Sequence, residues 1–335
     1  MPAADINDPE PQNAARVLMV RPASFGWNPQ TAASNAFQSA SGESGGTLQQ
    51  SAVLSEFDAL ADALQRAGVE VLIAADSPEP PKPDAIFPNN WVSFHHDGTI
   101  ALYPLLAPNR RCERREEIIE QVVREGSFRV SRLVDLSHRE AEQKYLEGTG
   151  SLVLDRAHRV AYACPSPRTD LDVLGEFAQQ LDYELMTFEA LDGAQRAVYH
   201  TNVVMAIGAG FAVVCGDSIV NTEHRAAVFA KLRATGHDIV DISLRQMGDF
   251  AGNVLELAPE KGNLIALSTT ALQSLTPPQR RLLESHADLV AVSIPNIEHF
   301  GGGGVRCMLA EIHLPKRARV PGSRAALGAL KSPVS

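Results

Sequence analysis

One short unit recurs five times along the chain. The segments "FPNNWVSF", "EGTGSLVL", "HTNVVMAI", "FAGNVLEL" and "GGGGVRCM" each place an Asn or Gly just before an apolar run, at Asn90, Gly150, Asn202, Asn253 and Gly304. The intervals are 60, 52, 51 and 51 residues. Spacing this regular marks a repeat architecture, in which each unit buries its apolar face against its neighbours. Ahead of each segment lies a β-like run, from "VEVLIAAD" to "ADLVAVSI". The first four segments are followed by hairpin punctuation and a return strand, then by a helix-period stretch such as "RREEIIEQVVREG" or "TDLDVLGEFAQQL". Thr276 before Pro277 reads as a helix N-cap and first turn. The fifth unit is split. Its return strand "AEIHLP" lies near the C-terminus, "TLQQSAVLSEFDALADALQRAG" supplies its helix near the N-terminus, and "RVLMVRP" adds a further strand. The pattern predicts an α/β fold of five pseudo-symmetric ββαβ units closed into a ring, which protects the sheet edges.

The repeat assigns residues 16–315 to a single domain, with 1–15 a disordered N-terminus and 316–335 a basic, flexible tail. The 335 residues suffice for a large core. A net charge of −10 without a basic stripe in the folded part argues against nucleic acid. No apolar run reaches membrane-spanning length, and the N-terminus lacks the basic-then-apolar pattern of a secretory signal, so the expected compartment is cytoplasmic. Cys112, Cys164, Cys215 and Cys307 show neither disulfide-type nor metal-type spacing. The glycine run is followed by no Lys-Ser/Thr pair, so it is no phosphate loop. Neither a cofactor nor a metal is expected. A homodimer is compatible with the sequence, which discloses no oligomeric state.

Equivalent positions in a closed fivefold ring converge on its axis. Asn89 and Asn90, Glu147, His200 and Asn202, Asp249 and Asn253, and Arg306 and Cys307 should therefore meet. In "FPNNWVSF", "EGTGS", "HTN" and "GGGGVRCMLAE" the chain resembles the pentein or amidinotransferase superfamily of guanidine-modifying enzymes, over roughly residues 16 to 315. With "RPASFGWNPQTAASNAFQ" included, it looks most like the citrulline-utilisation hydrolase (CtlX-type) branch. The resemblance implies a five-bladed αβ-propeller that needs no cofactor and acts on a small amino acid. Cys307 would be the nucleophile and His200 the general acid/base. Glu147 would orient His200 and favour its charged form.

The asparagines depart from the family pattern. Positions matching Asn90 and Asn202 are commonly aspartates in guanidine-modifying relatives, where they clamp the cation. An amide offers donor and acceptor to a neutral ureido group, and can stabilise an oxyanion. A ureido substrate follows, citrulline first, with ornithine, carbon dioxide and ammonia as products. Asn89, Asn28, Asn35, Arg306 and Asp249 are further candidates for substrate contact. Arg306 or Arg21 would take an α-carboxylate. The Asn/Ser/Gly-rich stretch 23–46 reads as a lid that excludes water. Three readings compete: the asparagines merely cap turns; Asp84 or Asp249 clamps a guanidine, giving an arginine or methylarginine deiminase or dihydrolase; or the ring is a non-catalytic binder.

Overall fold

Among the described residues, five three-stranded sheets share one topology. The computed structural model describes residues 10–39 and 47–317. In each sheet the middle strand pairs antiparallel with an inner strand and parallel with an outer one. Four sheets are contiguous in sequence. They are Val92–Phe94, Thr99–Leu102 and Arg132–Asp135; Val153–Asp155, Val160–Ala163 and Glu184–Thr187; Met205–Ile207, Phe211–Val214 and Asp238–Asp241; and Leu255–Leu257, Leu264–Ser268 and Asp288–Val292. The β-like run ahead of each repeated segment is the outer strand of the preceding sheet.

The fifth sheet joins the chain's two ends, with one change from expectation. Ala310–Glu311 is its inner strand, Arg16–Arg21 its middle strand and Glu70–Ala75 its outer strand. The C-terminal piece is thus not the return strand. "RVLMVR" fills that place, because the inner position is already taken by the chain leaving the glycine run.

Helices cover the sheets because their apolar spacing is helical. Leu171–Leu181 buries Val173, Leu174, Phe177 and Leu181, and its N-cap Asp170 accepts from the amides of Asp172 and Val173. Each such buried side chain contributes about 2 kcal/mol. Glu116–Glu125 buries Ile118 and Val122, one turn apart. All five inner strands are buried along their whole length, and neighbouring ones lie side by side, as in the bridge between Phe94 and Ile312. Among the described residues no helix is long and apolar enough to cross a membrane.

A single helical turn precedes the inner strand in four sheets: Pro88–Asn90, Gly148–Ser151, Thr201–Val204 and Val305–Met308. These turns pack on one another and carry the side chains singled out above. Residues 10–15, expected to be disordered, instead run along the body. Glu10 is buried between Arg156 (2.8 Å) and Arg159 (2.9 Å), and the Gln12 amide donates to the Leu154 and Ile207 carbonyls. The rest of that segment, residues 1–9, and most of the expected tail, residues 318–335, lie outside the described residues.

Candidate active site

The turns open on a small cavity whose wall includes Asn35, Asn90, His200 and Cys307. Backbone space creates the cluster. A Cβ on Gly150 would lie 2.8 Å from His200 Nδ1 and 2.6 Å from Asn90 Nδ2, so only glycine lets those side chains approach. Gly302, at φ +62°, turns the chain into the Cys307 segment, and the Tyr199 hydroxyl donates to its carbonyl at 2.5 Å.

Cys307 is buried, and two amides point at its sulfur. Asn253 Nδ2 lies 3.3 Å from Sγ and Asn202 Nδ2 lies 3.6 Å away. Both amides are oriented by backbone acceptors, the Asn202 carbonyl (2.9 Å) and the Thr149 carbonyl (3.1 Å) respectively. Burial pushes the Cys307 thiol up, opposed by the Asn253 amide, the Arg306 charge and the Asn202 amide.

His200 donates from Nε2 to Glu147 Oε2 at 2.9 Å, since a carboxylate can only accept. Nδ1 therefore carries the lone pair. Burial lowers the imidazole from 6.5 to about 4 and outweighs the opposing hydrogen bond to Glu147. The resting ring is neutral. Glu147 thus fixes the tautomer and favours the charged ring, while burial acts the other way and prevails. Burial would also raise Glu147 itself. Arg168 (3.2 Å), His200 and Arg110 (3.6 Å) reverse that and hold its carboxyl well below the usual range.

The other candidates divide. Asn90 receives Arg110 Nη1 on its oxygen (2.9 Å) and donates to Asn89 Oδ1 (3.0 Å). Asn28 does not line the cavity; it caps the turn Pro29–Ala32 and donates to Asp84 (2.7 Å), which does. Asn35 donates to the Gly301 and Gly302 carbonyls. The loop's described part covers the cavity, since Arg168 reaches Ser34 Oγ and the Thr31 carbonyl, both at 2.9 Å. Residues 40–46 of that loop lie outside the described residues. Arg306 and Asp249 are not brought in. Arg306 is committed to Glu311 (2.7 Å) and the Leu309 carbonyl, beside a separate cavity. Asp249 sits half-buried at the end of Leu244–Gly248, outside the lining. Arg21 pairs with Asp58 in a partly exposed position.

Sequence reasoning missed Arg110 and Arg168, which lie outside the repeated segments, in the short helix Pro108–Glu113 and in a turn respectively. Asn253 carried a signal, its register in the fourth segment, but received no role. We expect Asn253→Ala to move the pH midpoint of Cys307 alkylation by iodoacetamide upward by about one unit, because a hydrogen bond to a charged group contributes about 1.5 kcal/mol or more. Site-resolved mass spectrometry showing an unmoved midpoint would remove Asn253 from the nucleophile's environment.

A family model described as "N,N dimethylarginine dimethylhydrolase, eukaryotic" matches residues 21–314. The chain belongs to this family. The dimethylarginine dimethylhydrolase family lies within the pentein superfamily, as the motifs implied, and membership makes this chain a hydrolase of carbon–nitrogen bonds. The reading as a non-catalytic binder falls. No curated protein matches the sequence significantly. Among solved structures, ArgZ, an arginine dihydrolase from the ornithine-ammonia cycle in cyanobacteria, is similar at 16% identity and TM-score 0.68, covering 91% of this chain and 41% of its own. AgrE bound to L-arginine gives 15% identity and TM-score 0.69, over 91% of this chain and 41% of its own. DDAH from Pseudomonas aeruginosa, as a mutant complexed with citrulline, gives 14% identity and TM-score 0.61, over 90% and 100%. These likenesses concern the fold, and this chain spans less than half the length of ArgZ and AgrE.

Proposed function

We propose that this family member hydrolyses the ureido group of a small amino acid, citrulline first, using Cys307, His200 and Glu147 on a five-bladed αβ-propeller. The observation that carries the reading is charge matching at the cavity. Asp84 faces Arg110 at 3.7 Å, Glu147 faces Arg168 at 3.2 Å, and Glu113 is forked to Arg110 at 2.9 Å. Burial pushes Glu113 up to about 7, so it is partly neutral near pH 7. Asp84 and Glu113 share Arg110 while Glu147 has Arg168, so three carboxylates face two arginines, and the partial neutralisation of Glu113 brings the site close to balance, leaving little unmatched charge for a guanidinium cation. A neutral ureido group needs donors instead, and the asparagine amides supply them.

In this mechanism the thiol and imidazole begin neutral. Substrate binding lets His200 Nδ1 take the Cys307 proton, and the sulfur attacks the ureido carbon. Amide donors stabilise the charge on sulfur and the oxygen that receives the carbonyl electron pair. Collapse expels one nitrogen, protonated by His200. Water, deprotonated by the same imidazole, then cleaves the carbon–sulfur bond and leaves a carbamate that breaks down. The balance is citrulline plus one water to ornithine, carbon dioxide and ammonia. The loop over residues 23–39 would act as the lid, keeping bulk water from the thiolate.

A second reading has its own support, since Asp84 lines the cavity and the family is named for a methylated guanidine. In it, Asp84 would exchange Arg110 for the substrate cation. Product analysis by mass spectrometry with citrulline, arginine and dimethylarginine supplied separately decides between them. We expect ornithine from citrulline; turnover of the guanidines alone sinks the ureido assignment.

A further inference from the structure

We propose that Asp155, His158 and His237 form a divalent transition-metal site of the zinc class, joining two neighbouring sheets away from the catalytic cavity. One ligand atom from each residue lies within 4.8 Å of the others. Asp155 ends the inner strand Val153–Asp155, and His158 lies in the hairpin that leads to Val160–Ala163. His237 directly precedes Asp238–Asp241, the outer strand of the next sheet.

Each side chain is prepared for a cation. Asp155 Oδ1 accepts from the His158 amide (3.1 Å) and lies 2.8 Å from His158 Nδ1. Its Oδ2 has no partner, although the side chain is only 1% exposed. A buried carboxylate oxygen left unpaired is costly and calls for a ligand. The Tyr162 hydroxyl, diagonal to Asp155 on the same sheet face, is also unpartnered. His237 is buried, with Nδ1 against the Leu232 carbonyl (3.3 Å) and Thr235 Oγ1 (2.9 Å). The carbonyl only accepts, so Nδ1 holds the proton and Nε2 keeps its lone pair, the second-shell arrangement usual for metal-binding histidines. The two imidazoles stand edge to face with centroids 5.9 Å apart. Two imidazoles and one carboxylate suit zinc better than magnesium or calcium, and half-exposed His158 leaves room for water as a further ligand.

The test uses tag-free, chelator-treated protein carrying Cys307→Ala, so that the catalytic thiol contributes nothing. Zinc chloride titrated calorimetrically should bind saturably at one equivalent and raise the thermal midpoint as mass action requires. Adding His237→Ala should weaken that equivalent at least about tenfold. His158→Ala, at a partly exposed hairpin position, should do the same without loss of fold, so failure of a buried variant to fold leaves the proposal testable. Absence of saturable binding, or unchanged affinity in His158→Ala, overturns it.

Discussion

Cys307→Ala is expected to lower turnover at least about ten-thousand-fold while the protein still folds, because losing a nucleophile removes the covalent route entirely. The sulfur lies on the cavity wall, and two oriented amides point at it. Cys164 and Cys215 provide the contrast. Burial raises both thiols to about 11, and neither lines the cavity. Their serine variants should keep turnover within about tenfold of the parent. Steady-state rates with the substrate that proves best turned over decide the matter. A Cys307→Ala enzyme retaining a tenth of the parent's rate ends the proposed covalent route.

Glu10→Ala is expected to cost about 3–5 kcal/mol of stability, a large loss for a residue so near the chain's start. Burial by itself would raise the Glu10 carboxyl. Arg156, the strongest opposing charge, followed by His95, His313 and Arg159, instead brings it down from 4.5 to about 2. A carboxyl lowered by that much contributes about 3 kcal/mol at neutral pH. The sign follows from the lowered value. The contribution is complete above about 4.5 and is lost as the pH falls toward 2. Denaturant unfolding at pH 7 should show the full deficit, and the gap between parent and variant should narrow as the pH falls from about 4.5 to about 2. A deficit under about 1 kcal/mol at pH 7 would mean that Arg156 is satisfied without its partner.

The repeat spacing made much of this legible. Five segments in register gave five sheets, and the same register placed Asn90, His200 and Cys307 on one cavity wall, with Glu147 directly behind His200. Periodicity reports which residues share a layer, but not which neighbour a side chain chooses. Arg306 therefore looked like a substrate ligand beside Cys307, yet its guanidinium turns to Glu311 five residues on. Arg110 and Arg168, which hold Asn90 and Glu147, were invisible among 30 basic residues, because they come from a short helix and a turn outside the repeated segments, which no period describes. Glu10 was missed for a related reason. A polar terminal stretch reads as solvated unless its partners, here Arg156 and Arg159 some 150 positions away, are already known. The net lowering of His200 was not legible in the motif, because burial is a property of the assembled structure.

The pairing of Ala310–Glu311 with Arg16–Arg21 has a consequence for biosynthesis. The Cys307 sulfur leaves the ribosome after Glu147 and His200, and only a few residues before the strand that completes the last sheet. A nascent chain halted anywhere before residue 304 lacks both that thiol and that strand, so under the proposed mechanism premature termination yields inert product.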